Sequence, residues 1–516
     1  MSRPLTLLFL ALYAISVLWF SKSFDRKTRT LEGFYLADRK FGHWPIALTL
    51  VASWFGGTST IGSLQAFYTD GVSAFWKLIF PSIGCWLVII LLFSRRMANQ
   101  PGLSMPEAIE NTYGPTARTI LALVIACSVT ALMGSQLVAA HQVLSGLFQT
   151  PHGAPLSPWL TMGFTAAIVT IYTTLGGFRA VVMTDILQVG FIAIGLLVMA
   201  VPAVIMISGV SWPLFWHHVG LVRSDGFWNF LPDAGKQLAM MLTFVMAWSI
   251  APELWQRMTA LHANASIAKN DHAHVLLKKR AMTATALALG ILCLFYMLVV
   301  FVGLASPALI GSEAGRQPAS VMIGLTNWLH QDWAIALVLV GFIAAIGSTM
   351  DSTLNVGSLT LTHDVMERFW RRCFAHKLSA SALMRLCKMA TLVMPLPALV
   401  MAAWHQNIIS VLWISADIYA CAMFVPVVAM LYASKRFQPS AKAGLWAMLT
   451  GSAWVLITSL IHMGVVAEIP WPEAPYSTLW GVFLSSLAFA VGQFMPAVTA
   501  SLAHSAQTVL SAESPD

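Results

Sequence analysis

Long apolar segments alternate with short polar loops along the whole of this chain. A helix needs about 20 apolar residues to cross the hydrocarbon core of a bilayer. By that criterion the pattern predicts thirteen spans, at residues 4–20, 46–68, 72–94, 117–146, 158–175, 183–209, 235–252, 281–304, 333–360, 386–403, 407–432, 443–462 and 478–496. The expected fold class is an all-α integral membrane protein with thirteen transmembrane helices.

The composition agrees with this pattern. Of the 516 residues, 58% are hydrophobic and 10% are charged, whereas soluble proteins average about 25% charged residues. No loop is long enough to fold alone, so we expect no soluble domain. The first apolar segment precedes Lys22 and lacks a small-residue cleavage site, so we interpret it as a retained span and not as a signal peptide.

Lys and Arg are concentrated in alternate loops. The basic loops are 21–45, 253–280, 361–388 and 433–442, with six, five, six and three such residues. The intervening loops 147–157 and 463–477 contain none. Basic residues in short loops mark the cytoplasmic side, so we expect the amino terminus outside and the carboxy terminus inside. The formal net charge of +8 is therefore a sign of topology and not of nucleic-acid binding.

A run of polar side chains interrupts one of the most apolar spans, at 347–355. Four small or hydroxyl residues there recur at helical spacing and share one face: Ala345, Ser348, Thr349 and Ser352. Single hydroxyls in membrane helices often bond to carbonyls one turn earlier. Asp351 needs more, because a carboxylate at membrane depth requires a cation, a donor or a proton. The run therefore predicts a cation or polar site.

The second span contains Gly56-Gly57 among hydroxyl residues, Ser53 and Thr58 to Thr60. Glycine weakens a helix, and a break exposes backbone groups that are tolerated where they line a cavity or hold an ion. Close packing of helices through small residues is the alternative. The added hydroxyls favour a broken helix.

A third element, 172–188, has Gly176-Gly177 between two spans and then Asp185 and Gln188 one turn apart. Alone it indicates a tight helical hairpin, in which Asp185 could cap the second helix. The Gly-Gly turn that leads through Ala-Val to Thr-Asp and Gln resembles the signature of the sodium:solute symporter family. The Gln256-Arg257 pair is also similar to that family, and we interpret it as an inner-gate or structural contact.

This resemblance covers nearly the whole chain and implies a five-plus-five inverted repeat of the leucine-transporter type. The implied organisation is an extra transmembrane helix and cytoplasmic loop at 1–45, repeats at 46–209 and 235–432 joined by an extracellular loop at 210–234, two peripheral helices within 433–496, and a cytoplasmic tail at 497–516.

The resemblance also implies a sodium site. Its ligands would be carbonyls of Ala52 and Phe55 on the broken helix, and the Ala345 carbonyl with the Ser348 and Thr349 hydroxyls. In some relatives the acidic residue of the signature belongs to a second ion site, which makes Asp185 a weaker candidate. Asp351 is expected to tune the site without coordinating the ion directly.

The organic substrate is expected beside the break. The candidate contacts are Trp54, Gly57, Thr58, Gln136, Trp248, Ser415, Asp417 and Tyr419. The Ser-Ala-Asp-Ile-Tyr segment at 415–419 is similar to choline-type members of the family, in which an acidic residue lies at a similar place. A carboxylate beside aromatic rings suits a cationic group, although Asp417 could instead pair with another helix.

The function expected is sodium-coupled symport of a small organic solute into the cell by alternating access, at the inner (plasma) membrane. Na⁺ is the coupling ion, and we expect no other cofactor, no enzymatic activity and no obligate protein partner. Proton coupling through Asp351, Asp185 or Asp417 is one alternative, and a transporter-like sensor is another. The identity of the solute stays open between amino acids, carboxylates, sugars, vitamins and quaternary amines.

Overall fold

The computed structural model describes residues 4–25, 30–148, 156–209, 211–222, 226–261, 271–311, 318–374, 378–405, 407–462 and 471–495. Within these ranges the chain is helical, and its only β-pairings are isolated bridges between Phe41 and Leu261 and between Ser434 and Phe437. The predicted tail 497–516 lies outside the described residues, as do parts of the predicted loops.

The helices of the amino-terminal half are α1 (Pro4–Asp25), α2 (Leu31–Leu36), α3 (His43–Trp54), α4 (Ser63–Asp70), α5 (Ile79–Val88), α6 (Ser94–Ala98), α7 (Met105–Tyr113), α8 (Pro115–Leu147), α9 (Pro158–Gly209) and α10 (Trp212–Val222). Wider π-helical turns at Thr58–Gly62 and Ile89–Phe93 lead into α4 and α6.

The helices of the carboxy-terminal half are α11 (Ala234–Trp248), α12 (Pro252–Thr259), α13 (Asp271–Ile310), α14 (Pro318–Trp328), α15 (Asp332–Leu359), α16 (Glu367–Phe374), α17 (Ala380–Val393), α18 (Pro395–Trp404), α19 (Ile408–Ile418), α20 (Val425–Leu431), α21 (Ala441–His462) and α22 (Tyr476–Phe494). Two further π-helical turns, Thr360–Met366 and Tyr419–Phe424, continue α15 and α19.

The predicted count of thirteen spans is not confirmed. Among the described residues, ten helices are long and apolar enough to cross a membrane, or eleven if α11 and α12, bent by 43°, form one span. The segment predicted at 46–68 is divided between α3 and α4, each too short to be counted alone. The segments predicted at 158–175 and 183–209 both fall within α9.

A kink at Gly177 divides α9. A continuous helix of this length would measure about 78 Å, far more than the roughly 30 Å core of a bilayer. Gly177 has φ 57° and ψ −158°, a conformation that favours glycine. A Cβ atom at this position would lie 2.6 Å from the Phe34 carbonyl oxygen. The predicted Gly-Gly turn is therefore a break in α9, at the point where α9 crosses α2.

The predicted break in the second span is confirmed. Helix α3 ends at Trp54, and Phe55 leaves the helical region with φ −91° and ψ 62°. The chain resumes as a π-helical turn at Thr58. Pairs of glycines tolerate such a change of direction, and the exposed backbone groups face protein and not lipid.

Helix α15 forms the centre of the bundle. It packs against α9, α8, α1 and α3, and every residue from Ala344 to Leu359 is buried. A helix that is buried all round in a membrane protein keeps its polar side chains among other protein groups. The polar run predicted at 347–355 therefore faces other helices.

Helices α21 and α22 form a pair against the turn that follows α19. Gly451 of α21 makes the closest approach, because a Cβ atom there would lie 1.9 Å from the Cys421 carbonyl oxygen. Backbone atoms cannot move aside as a flexible side chain can, so only glycine fits at this crossing.

We expect Gly451→Ala to lower the apparent melting temperature of the purified protein, since overpacking costs about 1–3 kcal/mol. Gly163→Ala on α9 is the matched control, because a Cβ atom there would meet nothing within 4 Å. Equal melting temperatures for the two variants would contradict the packing of α21 on the turn at Cys421.

Candidate ion and substrate site

The break after α3 lies directly against the polar face of α15. The Ser348 hydroxyl donates to the Ala52 carbonyl at 2.8 Å and to the Ala345 carbonyl at 3.0 Å. The Thr349 hydroxyl lies 3.2 Å from the Ser53 carbonyl and 3.3 Å from that of Ala345. Four of the five predicted sodium ligands therefore converge, and the Ser53 carbonyl joins them.

Phe55, the fifth predicted ligand, is placed differently. Its ring is buried against Phe295 and Tyr296, with centroids 5.2 and 5.5 Å away. Its amide donates to the Val51 carbonyl at 2.9 Å. Within the described residues no hydrogen bond joins Phe55 to α15. Its carbonyl therefore does not contact the Ser348 or Thr349 hydroxyl, although Phe55 follows Ala52 and Ser53 closely in sequence.

Gly56 allows this close approach. A Cβ atom at Gly56 would lie 2.4 Å from the Thr349 hydroxyl and 2.8 Å from Oε1 of Gln136. The next amide, that of Gly57, donates to the same Gln136 oxygen at 2.8 Å. Gln136 thus binds a backbone group released by the break. The sequence predicts Gly56 and Gly57 as part of the helix break and Gly57 and Gln136 as solute contacts, but it gives no sign that Gly56 contacts Thr349.

A cavity of about 60 Å³ lies beside the break. Four of the predicted substrate contacts line it: Trp54, Thr58, Gln136 and Trp248. The remaining wall consists of Ser53, Gly56, Ser59, Leu78, Leu132, Phe244, Tyr296, Thr349 and Leu412. We name this space the central cavity.

Two hydrogen-bonding atoms in this wall are buried without a partner among the described residues: the Thr58 hydroxyl and Nε1 of Trp248. Unpaired buried polar atoms are costly, so they mark positions where a solute could bind. The Trp54 ring is fixed, because its Nε1 donates to the Ser82 hydroxyl at 2.7 Å.

A second small cavity, of about 40 Å³, lies toward Glu253 and Arg257. It shares five lining residues with the central cavity: Ser53, Trp54, Leu132, Trp248 and Thr349. These shared residues separate the two cavities. Two of them, Ser53 and Thr349, also contact each other where α3 crosses α15.

The structure does not bring Ser415 or Asp417 into the central cavity. The Ser415 hydroxyl lies 2.9 Å from that of Ser128 on α8. Asp417 accepts a hydrogen bond from Thr478 of α22 at 2.6 Å. Side chains two positions apart in a helix point in directions that differ by about 200°. Because Ser415 faces α8, Asp417 faces the peripheral pair α21–α22.

Tyr419 does not line the central cavity, but it packs against a residue that does. Its ring centroid lies 5.5 Å from that of Trp248, and its hydroxyl donates to Oε1 of Glu253 at 3.2 Å. It therefore supports a cavity residue from behind and connects the turn after α19 to the start of α12.

Asp185 and Asp351 share a buried network with Arg257. The fully buried Arg257 guanidinium lies 3.4 Å from Oδ2 of Asp185 and donates to the Ser352 hydroxyl at 2.5 Å. The Thr49 hydroxyl also bonds to Asp185. Arg257 is thus the charge partner of the signature aspartate, 72 positions away in sequence, which no local pattern could indicate.

Asp351 has neutral partners. It accepts hydrogen bonds from the Tyr172 hydroxyl at 2.8 Å and from the Ser352 hydroxyl at 3.2 Å. Ser352 in turn donates to the Ser348 carbonyl at 2.7 Å. Two carboxylates and one guanidinium are therefore linked through hydroxyls to the α3–α15 crossing.

A charged cluster, which we name the α7–α8 cluster, joins the first half of the chain to the end of α15. Arg118 contacts Asp364 and Glu110, at 2.7 Å in each case. His363 lies 3.1 Å from Oε2 of Glu107. The hydrogen bond with His363 lowers the pKa of Glu107 to about 2, so this carboxylate is ionised at neutral pH.

Residues 34–451 match the sodium:solute symporter family. The chain belongs to this family. The sodium/proline symporter of Escherichia coli (strain K12) is 26% identical over 452 residues, with 84% of this chain and 83% of that protein covered. The osmoregulated proline transporter OpuE of Bacillus subtilis (strain 168) is 24% identical over 501 residues, with 93% and 94% covered.

Solved structures show the same fold. A Na⁺-coupled sialic acid symporter in a substrate-bound, outward-open state superposes with a TM-score of 0.68 at 14% identity, covering 95% of this chain and 98% of that one. Mhp1, a nucleobase-cation-symport-1 family transporter, gives 0.55 at 16% identity, covering 90% and 94%. The predicted all-helical, leucine-transporter-like fold is confirmed.

Family membership settles the general activity. This member of the sodium:solute symporter family is a multi-pass transporter of the bacterial plasma membrane that couples sodium to the symport of a small solute. It is a transporter and not an enzyme, and Na⁺ is its coupling ion.

We expect Arg257→Gln to reduce the amount of folded protein and its melting temperature strongly. Removing one partner of a buried ion pair costs about 3–5 kcal/mol, because the other charge stays buried. Adding Asp185→Asn should recover part of the loss. Lys40→Gln is the control, since Lys40 pairs with Asp38 at 3.8 Å with 64% of its side chain exposed, and exposed pairs contribute about 0–1 kcal/mol. If Arg257→Gln and Lys40→Gln lowered the melting temperature equally, the buried charge pair would be contradicted.

Proposed function

We propose that the crossing of α3 and α15 binds the coupling sodium. The observation that carries this proposal is the convergence of oxygens from Ala52, Ala345, Ser348 and Thr349 on a broken helix. Carbonyls released at helix breaks coordinate Na⁺ in secondary transporters. The Phe55 carbonyl, at the break itself, is the fifth oxygen of the proposed set.

In this proposal sodium bridges α3 and α15. The Ser348 and Thr349 hydroxyls lie 2.8 and 3.2 Å from the carbonyls of Ala52 and Ser53. With Na⁺ bound here, the carbonyl and hydroxyl oxygens would all direct lone pairs at the ion, and the hydroxyl protons would point toward other acceptors. The ion would therefore join the two helices through these same oxygens.

We propose that the central cavity binds the solute and that the solute is proline or a similarly small amino acid. The curated relatives described above are proline transporters by name. The unpaired donors at Thr58 and Trp248 suit a carboxylate, and the rings of Trp54, Phe244 and Tyr296 suit a compact apolar body. The small volume of the cavity favours a small solute.

Sodium binding and solute binding are coupled in this proposal because the ion site and the central cavity share two residues. Ser53 and Thr349 line the central cavity and also form the α3–α15 contact. An ion that fixes these two residues therefore orders the solute site, and by linkage the solute raises the affinity for sodium by the same factor. Moving one charge through 100 mV supplies about 2.3 kcal/mol for uptake.

Asp185 and Asp351 have a tuning role in this scheme. Arg257 already neutralises part of the charge of Asp185, and Asp351 reaches the ion site only through Ser352 and Ser348. Their combined negative charge would favour a cation at the crossing. A second ion beside Asp185 would have to compete with the guanidinium.

The remaining parts of the proposal concern placement in the membrane. The basic loops support an amino terminus outside and a carboxy terminus in the cytoplasm. Transport into the cell is part of the proposal because an inward sodium gradient supplies the free energy. Repeats at 46–209 and 235–432, embedded in the lipid bilayer without an obligate protein partner, would then alternate access around the two sites.

We expect the double variant Ser348→Ala, Thr349→Ala to lose sodium-stimulated uptake of labelled proline by at least a hundredfold, because both hydroxyl ligands are removed. Uptake is measured in proteoliposomes with an imposed sodium gradient, at constant pH, against the same vesicles in lithium salts.

Ser358→Ala on the same helix is the matched control, because Ser358 lies ten residues, about 15 Å, further along the helix and its hydroxyl bonds to the Asn355 carbonyl at 3.0 Å. It should retain uptake. Undiminished sodium dependence in the double variant would disprove the ion site, and full activity of the wild type without sodium would favour proton coupling.

We expect Gln136→Leu to raise the KM for proline at least tenfold with a smaller effect on maximal uptake, since the Gly57 amide loses its acceptor beside the solute. Thermal shifts of the wild type should also require proline and sodium together, because ligand binding stabilises the folded state. If neither proline nor another small amino acid gives a shift or uptake while a solute of another class does, the amino-acid assignment is wrong but the ion site is untouched.

A further inference from the structure

A larger cavity lies away from the central cavity. Its volume is about 380 Å³, within the range of about 300–1,000 Å³ that is typical of small-molecule sites. It lies between α19 and the pair α21–α22, and Trp54, Gln136, Trp248 and Thr349 take no part in its wall. We name it the peripheral cavity.

Asp417 supplies the charge in this wall. Its Oδ1 atom accepts a hydrogen bond from the Thr478 hydroxyl at 2.6 Å. Asp417 is the one carboxylate among the lining residues, and His405 is the one basic side chain there, since no Lys or Arg lines the cavity. Within the described residues Asp417 has no salt bridge with His405 or with any other basic side chain. A carboxylate inside a membrane protein is costly without a partner and marks a functional site by default. The cavity therefore offers one carboxylate without a salt-bridge partner among the described residues.

Tryptophan rings form part of the same wall. Trp413 and Trp454 line the cavity, and Trp471 packs on Trp454 with ring centroids 4.8 Å apart. The Nε1 atom of Trp454 donates to the Ser477 carbonyl at 2.8 Å, and that of Trp471 donates to the Thr458 hydroxyl at 3.2 Å. Bonds to protein acceptors fix both rings.

This combination selects a class of ligand. A carboxylate beside indole faces attracts a cation by charge and by the ring quadrupole. Val411, Ile414 and Val455 make much of the remaining surface apolar, which disfavours a strongly hydrated metal ion and suits alkyl groups. We propose that the peripheral cavity binds a small alkylated organic ammonium ion, with its charge at Asp417 and its alkyl groups against Trp413 and Trp454.

The site is separate from the proposed solute site. Asp417 points to α22, while Ser415 and Tyr419 on the same segment contact α8 and Glu253. Ligand binding in the peripheral cavity therefore needs none of the residues that contact sodium or the transported solute.

The test uses the full-length protein in lipid nanodiscs and isothermal titration calorimetry at fixed sodium. The probes are (2-hydroxyethyl)trimethylammonium and its neutral isostere 3,3-dimethylbutan-1-ol, which has the same shape without the charge. We expect the cation to bind at least tenfold more tightly than the alcohol. Equal affinities would overturn the proposal and identify an apolar cavity instead.

Variants locate the site. Asp417→Asn should weaken cation binding at least tenfold, and Trp454→Leu should weaken it to a lesser degree, while Asp233→Asn at the start of α11 should leave it unchanged. Gln136→Leu should also leave it unchanged, and loss of cation binding in that variant would place the cation in the central cavity and overturn the proposal. The comparison of the two probes on the wild type stands even if Asp417→Asn does not fold.

Discussion

Backbone groups inside a membrane must find partners within the protein, and the carbonyls released where α3 ends find them on α15. The Ser348 hydroxyl reaches Ala52, and that of Thr349 reaches Ser53. Much of the bundle serves this contact, because α15 must be buried on every side for its hydroxyls to face protein. Gly56 must also lack a side chain for the two helices to meet.

Much of this arrangement could be predicted from the sequence, because its signals are local. The hydroxyls of α15 recur at helical spacing, and the Gly-Gly pairs mark the breaks after α3 and within α9. The number of spans was less certain, since one apolar segment is split into two short helices and two others join in α9. Apolar length alone does not show where a helix bends or ends.

The sequence leaves open the partners that lie far apart along the chain. For Asp417 it allows a cationic solute or a pair with another helix, and the direction of Asp417 around α19 turns it to Thr478 on a helix that the family resemblance treats as peripheral. For Gln256-Arg257 it allows an inner-gate or a structural contact, and the fold pairs Arg257 with Asp185. Side-chain direction and long-range pairing both require the assembled bundle.

The α7–α8 cluster holds its helices together through charges of unequal burial. Arg118 with Asp364, and His363 with Glu107, join α8 and α7 to the end of α15, so separating these helices means separating charges. The side chains of Arg118 and Asp364 are 9% and 0% exposed, and those of His363 and Glu107 are 14% and 30% exposed. Salt screens exposed charges far more than buried ones. Raising the salt would therefore weaken the contact of α7 before that of α8, independently of whether the salt supplies the transported ion.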